Sequence, residues 1–414
     1  PLESVSLSDL PLEPSDLPPW RYPRQLLKAA FWSSQSQRAL TVFLSSYGCG
    51  LDGFTIKHLK NLVAAKPHLF LEFDEHRGEA GLVTRLEAFA DEITQNQLAG
   101  RGLSLKRKVQ DPETLPTEEL KNFRFIIPYF ADHAVVFAGV LKQCGFQAEV
   151  LPPPDEKSLE LGEKYSSGKE CHAYSFLLGD LLKFALSHNQ KQPAVFFFPG
   201  ARYSCLLQQY GPAMRHLLFD LNLNGLLVLT PTINYLWKLI GFEGLKSLWQ
   251  GLVATDRLIK IACQTRPYEI NRGETDQAFR KSLKSLEAGL AENRLDETLQ
   301  KISRQLKKIK TRAEKRPVIG IAGDIYTRQN PFANNYLYHQ LEKLGCEVWP
   351  SPFLVDEIDF SFSREFYNKL SSGSLAEALK SAGLNLVKEV KRREVVKKLE
   401  ISELKTREPG YKEI

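Results

Sequence analysis

Residues 123–154 read FRFIIPYFADHAVVFAGVLKQCGFQAEVLPPP, and this stretch decides the fold. Phe123 to Ile127 is a short apolar run of strand length. Pro128 to Asp132 interrupts it with a loop, and His133 to Gln143 carries apolar residues at helical spacing. Gly145 then turns the chain into a second short strand, Ala148 to Leu151, which Pro152, Pro153 and Pro154 stop. Residues 317–352 repeat the plan: strand Val318 to Ala322, polar loop, helix Asn335 to Leu344, Gly345, strand Glu347 to Trp349, proline. Two strand–helix–strand units of this kind predict parallel pairing.

The same alternation extends in both directions. Strands are expected at Leu40 to Ser45, Leu69 to Phe73, Ala194 to Phe198 and Leu226 to Leu229. Helices are expected near Ile56 to Ala65, Leu82 to Ile93 and Ser175 to Leu186. The expected fold class is therefore α/β, with Rossmann- or flavodoxin-like parallel-sheet subdomains and a helical insertion. Five segments follow from the pattern. Residues 1–37 read as an extended N-terminal arm, rich in Pro, Leu and Ser, and 38–232 as an α/β domain. Residues 233–316 lose strand signals and read as helical, with a solvated basic face over Ser282 to Lys310. Residues 317–373 form a second α/β unit, and 374–414 a charged helical tail.

Composition excludes several classes. The chain has 414 residues, 43% hydrophobic and 25% charged, which is ordinary for globular protein of two or three domains. A net charge of +6 over this length is no clustered nucleic-acid patch. No apolar run approaches the roughly 20 residues of a membrane helix. The first residues, Pro1 to Ser4, have neither a basic nor an apolar leader region, and a start without Met suggests either a trimmed start or a piece of a longer polypeptide. Six cysteines without a Cys-x-x-Cys pair argue for a reducing cytoplasm rather than a disulfide scaffold. Nucleotide P-loops, Gly-x-Ser-x-Gly elbows and His-Glu-x-x-His helices are absent from the sequence. If the protein depends on ATP, another chain or segment must hydrolyse it.

Ligands of open α/β sheets bind beyond the carboxyl ends of the strands. Those loops carry Ser45 to Gly50, Asp74 to Arg77, Pro128 to His133, Pro199 to Cys205 and Gly323 to Arg328. Cys49, Cys205, His76 and His133 would thus gather at one edge. Cys171 joins them from a polar loop directly before a helix, where the helix dipole favours a thiolate. Thiolates suit iron–sulfur clusters and soft metals. Widely spaced cysteines are also commonly unrelated, and a histidine after a strand commonly bonds only nearby groups. Cys144 and Cys346 occupy matching places at helix ends and read as packing residues, as does Cys263.

Ordered motifs then carry a resemblance. They are Ser46-Tyr47-Gly48-Cys49-Gly50, Leu71 to His76, Ala80-Gly81, Thr84 to Phe89, Gly168-Lys169-Glu170-Cys171, Phe198-Pro199, and Cys205 with Gln209-Tyr210. Arg266-Pro267-Tyr268-Glu269 with Gly273, and Gly320 to Arg328 with Asn330-Pro331, continue the series. Over about residues 40–353 the chain resembles the activase-associated portion of the 2-hydroxyacyl-CoA dehydratase and benzoyl-CoA reductase superfamily, which includes double-cubane cluster proteins. The resemblance implies an oxygen-sensitive protein whose iron–sulfur cluster, a [4Fe-4S] or one related to a double cubane, is held by Cys49, Cys171 and Cys205. It implies a partner, an ATP-hydrolysing activator with its own cluster, fused upstream or separate, that injects a low-potential electron. In dehydratase relatives that electron makes a ketyl radical from a hydroxyacyl-CoA thioester; in double-cubane relatives it reduces small molecules. A dimer is expected, because two chains could each supply three cysteines. His76, Arg85, His133 and Arg202, with His172, are expected as a polar shell that tunes potential or donates protons. The cysteine loops depart from the family. His172-Ala173 follows Cys171 in place of Pro, Tyr203-Ser204 precedes Cys205, and Leu206-Leu207 follows it. The expected function is an iron–sulfur reductase- or dehydratase-like component. The alternative is a non-catalytic electron-transfer or scaffold subunit, with or without its cluster.

Overall fold

The computed structural model describes residues 6–10, 17–36, 38–63, 66–76, 78–96, 112–188, 192–200, 205–223, 225–352, 367–371 and 374–399. Among the described residues eight strands run β1 (Thr41–Ser46), β2 (His68–Phe73), β3 (Arg124–Ile127), β4 (Gln147–Val150), β5 (Ala194–Phe197), β6 (Leu226–Leu229), β7 (Val318–Ile321) and β8 (Glu347–Pro350). The helices before residue 200 are α1 (Arg21–Gln35), α2 (Gly50–Val63), α3 (Glu79–Asn96), α4 (Thr117–Leu120), α5 (Ala134–Gln143), α6 (Glu156–Tyr165) and α7 (His172–Ser187). Those after it are α8 (Tyr210–Asp220), α9 (Ile233–Thr265), α10 (Glu274–Ala291), α11 (Leu295–Leu306), α12 (Ile325–Gln329), α13 (Leu337–Lys343) and α14 (Leu375–Lys398). The class is α/β. Strand pairs β1–β2, β3–β4, β5–β6 and β7–β8 are all parallel, as Rossmann- or flavodoxin-like subdomains require.

The chain divides into two compact units, each made of two stretches. One comprises residues 1–116 and 155–232; the other comprises 117–154 and 233–414.

In the first unit, β1 and β2 lie in register from Thr41 opposite His68 to Ser46 opposite Phe73. Residues 21–35, expected as part of an extended arm, are helix α1 instead. The reason is a short apolar face: Leu27 and Ala30 are buried with Phe43 of β1 and Leu59, Leu62 and Val63 of α2. The flanking prolines had masked that period. The side chains of β5 are all buried, which explains its continuous apolar run.

In the second unit, α5 is almost wholly apolar and buried from Ala134 to Leu141. The insertion is helical as expected, formed by α9, α10 and α11. Within α9 the chain breaks at Gly241, whose φ of 63° is open to glycine at no steric cost. Ile259 and Cys263 of α9 pack with Val348 of β8, joined by Phe279, Ile321, Tyr338 and Leu341. Arg312 to Pro317 returns the chain to β7, and α14 supplies the charged helical tail through Lys398. Among the described residues no helix is long and apolar enough to cross a membrane.

Candidate cysteine site

Cys49, Cys171 and Cys205 all belong to the first unit, and each stands immediately before a helix. Cys49 follows β1 and precedes α2; its carbonyl accepts the Gly53 N–H at 3.0 Å, which opens the helix. Cys171 is the N-cap residue of α7, with its carbonyl accepting from Tyr174 N–H at 2.8 Å. Cys205 caps a 3-10 turn, Leu206–Gln209, that runs directly into α8. None of the three is in a disulfide among the described residues; Cys49 and Cys171 are half-buried and Cys205 is exposed. Helix N-termini offer unpaired N–H donors and positive potential to a thiolate.

What joins the three loops is on the helices behind them. Phe54 of α2, Tyr174 of α7 and Tyr210 of α8 form a closed triangle of rings. Their centroids are 5.1 Å apart for Phe54–Tyr174, 5.7 Å for Phe54–Tyr210 and 5.1 Å for Tyr174–Tyr210. All three are buried. Each ring sits within about the first turn and a half after its cysteine, so pinning the rings pins the loops. Two of the pairs are edge-to-face and Phe54–Tyr210 is stacked; such aromatic pairs each add about 0.5–1.5 kcal/mol beyond simple burial.

The loops also touch directly at Gly50. A Cβ built there would lie 2.8 Å from Leu206 Cδ1 and 3.2 Å from the Lys169 carbonyl oxygen. Leu206 follows Cys205 and Lys169 precedes Cys171 by two, so Gly50 is where all three loops meet. Gly53 repeats the restriction one turn on, 2.9 Å from Lys169 Cβ.

Charge holds the Cys171 loop in place. Lys169 Nζ pairs with Glu72 Oε2 of β2 at 2.8 Å, and Lys57 Nζ of α2 pairs with Glu170 Oε1 at 2.7 Å. Glu170 Oε2 also accepts from Ser167 N–H at 2.9 Å and Ser167 Oγ at 2.8 Å. Gly168, with φ at +76°, makes that tight loop possible. Burial alone would raise the Glu170 carboxyl. The Lys57 ammonium and the Ser167 donors outweigh it and hold the group below its usual range. Lys57 further donates to Tyr174 Oη at 3.2 Å and lies 4.7 Å from that ring's centroid. At β1, buried Asp52 accepts from Ser45 Oγ at 2.8 Å in the first turn of α2.

The expected polar shell is not gathered in this way. His76 is exposed and bonds its own turn, Nδ1 to Asp74 Oδ2 at 3.2 Å. Arg85 is exposed on α3. His172 is exposed at the start of α7, its ring 4.7 Å from that of Phe176. His133 belongs to the second unit, where it is fully buried with Nε2 3.0 Å from Asp256 Oδ1. Arg202 lies outside the described residues. Cys144 and Cys263 behave as packing residues. Cys144 Sγ donates to the Ile240 carbonyl at 3.7 Å, and burial pushes the Cys263 thiol up to about 12, keeping it protonated.

Lys57, Phe54, Tyr174 and Tyr210 were not anticipated. A signal for three of them existed: an aromatic residue three to five positions after each of Cys49, Cys171 and Cys205.

Three thiols on converging loops, each before a helix, are the donor set iron–sulfur chemistry uses. Among the described residues, however, no three His, Cys, Asp or Glu side chains are grouped as ligands around one metal ion. The fit is therefore one of donor type and loop placement.

No curated protein and no solved structure matches the chain. Residues 129–354 match a family described as CoA enzyme activase uncharacterised domain (DUF2229). With more than half its length matched, the chain belongs to this CoA enzyme activase domain family.

Proposed function

We propose that this chain is the iron–sulfur component of an ATP-driven reductase- or dehydratase-like system, with Cys49, Cys171 and Cys205 as the cluster ligands. The observation that carries the reading is the Phe54–Tyr174–Tyr210 triangle. It ties together the three helices that follow those three cysteines. Family membership, by its description, favours an activase-linked role. Such a cluster, when bound, supplies one-electron chemistry at low potential. The chain's own part is to present three thiolates at helix N-termini, whose positive ends offset the added negative charge. The Lys57–Glu170 and Lys169–Glu72 pairs keep the Cys171 loop against α2 and β2. The electron donor in this proposal is an ATP-hydrolysing activator with its own cluster.

The test is iron and acid-labile sulfide per chain on anaerobically purified or reconstituted protein, with the visible spectrum. About four of each per chain is expected for a three-cysteine cubane. Cys49→Ala, Cys171→Ala and Cys205→Ala should each lose most of the iron, whereas Cys144→Ala and Cys346→Ala should keep it. A colourless, iron-free protein after reconstitution rejects the redox reading. A cluster-bearing protein that never turns over with activator and ATP assigns the scaffold role instead.

A further inference from the structure

The second unit contains a cavity of about 210 Å³ between the loop after β3, the end of α9, and helices α10, α12 and α13. That is room for on the order of ten waters. Its charges are unevenly committed. Arg266 is fully engaged: Nε to Asp276 Oδ1 at 2.7 Å, and Nη1 to both oxygens of Glu342 at 2.8 and 2.9 Å. Asp132 accepts from the Tyr129 hydroxyl. Among the described residues Arg328 has no such carboxylate. One of its nitrogens, Nη2, donates to the Pro352 carbonyl at 2.7 Å, and its buried Nε has no acceptor among them. The Tyr338 hydroxyl, on another lining residue, is likewise buried without a partner among the described residues. Arg280 at the exposed side makes no ion pair among the described residues.

Two buried donors left without acceptors carry a desolvation cost that the fold alone does not repay. Both belong to one cavity, which also holds the Arg280 guanidinium, and among the described residues neither Arg328 nor Arg280 pairs with a carboxylate. The missing chemistry is an anionic oxygen acceptor. Ile259, Phe279 and Pro331 line the same space and add an apolar wall, which a bare inorganic ion would leave wet. We propose that this cavity binds a small organic carboxylate, its oxygens accepting from Arg328 and Tyr338 and its carbon skeleton lying against Ile259, Phe279 and Pro331. Burial raises the Asp132 carboxyl, against the pull of Tyr129, His133 and Arg266. The site stands apart from the cysteine proposal, because every residue named belongs to the second unit.

The experiment titrates the full chain with isobutyrate, benzoate, methyl isobutyrate and inorganic phosphate by calorimetry and ligand-observed NMR. Saturable one-to-one binding of isobutyrate or benzoate is expected. The uncharged ester and phosphate should not compete. Tyr338→Phe and Arg328→Gln should each weaken binding about tenfold, since a hydrogen bond to a charged group is lost. Tyr338→Phe should also raise the melting temperature of the ligand-free protein, because it removes an unpaired buried hydroxyl; that readout keeps the test meaningful if Arg328→Gln folds poorly. Binding by neither carboxylate, equal competition by phosphate, or undiminished binding to Tyr338→Phe would overturn the proposal.

Discussion

Asp180 sits in the middle of α7, nine residues after Cys171, and is 3% exposed. Burial pushes its carboxyl up to about 7 from an ordinary 3.8, against the opposing pull of Ser158 and Lys183. The unfolded chain gives up this proton near pH 4, and the folded chain keeps it until about pH 7. Raising the pH between those values therefore favours the unfolded state, and the full cost is present above pH 7. Asp180→Asn cannot ionise. Its stability should match the parent near pH 4 and exceed it by about 4 kcal/mol at pH 8. Urea midpoints at pH 4.5, 6 and 8 measure this. Parallel profiles for the two proteins would mean that Asp180 is ionised at no cost, and that water or a counter-charge reaches it.

At the scale of elements, α7 is held by unusually close backbone approach to α6. A Cβ at Gly179 would fall 1.6 Å from the Ser158 carbonyl oxygen, and one at Gly162 would fall 1.9 Å from that of Ser175. Neither obstacle is a side-chain end that could swing aside. Gly179→Ala should thus force α6 and α7 apart, costing about 3 kcal/mol or more and moving the helix that carries Cys171. Gly81→Ala is the matched control. Gly81 lies in α3 with nothing within 4 Å of the added carbon, so a gain of about 0.5–1 kcal/mol is expected from helix propensity alone. Chemical denaturation of both variants decides the point; equal stabilities would show that the helix pair can relax.

Elements of this kind differ in how far the sequence reveals them. All eight strands were legible, because a buried parallel strand is a short apolar run between turn residues, and Val195 to Phe197 or Phe125 to Ile127 can be little else. The insertion was legible from its helical spacing. Helix α1 was not: its buried face is only Leu27, Ala30 and their neighbours, among serines and next to prolines. The cysteines were visible as thiols ahead of helices. The rings that draw their loops together were not, since Phe54, Tyr174 and Tyr210 lie more than a hundred and fifty positions apart end to end and only folding makes them neighbours. His133 misled for the same reason. Its place after a strand looked like a site edge, whereas its partner Asp256 is 123 positions away on α9.

At the scale of the whole molecule, the order of the chain and the order of the units disagree. The second unit takes residues 117–154 from the middle of the first. That loan is structural core. The α5 residues Val136, Ala138 and Val140 are at most 1% exposed. A Cβ at Gly139 would lie 2.8 Å from the Glu287 carbonyl oxygen of α10, and one at Gly251 of α9 would lie 2.5 Å from Val136 Cγ1. Lys142 Nζ pairs with Glu287 at 2.6 Å, and His133 with Asp256 at 3.0 Å. Residues 233–414 alone would leave Leu286 and Leu290 of α10 facing water where α5 should be. Each aliphatic side chain exposed in this way forfeits about 1.5–3 kcal/mol, and a domain's entire margin is only about 5–15 kcal/mol. The fragment 233–414 should therefore melt without a cooperative transition, and co-expression with residues 117–154 should restore one. Circular dichroism melts of the two preparations make the comparison. A sharp transition in 233–414 by itself would show that α9, α10 and α11 close a core without α5, and that residues 117–154 are an attachment to the second unit rather than its centre.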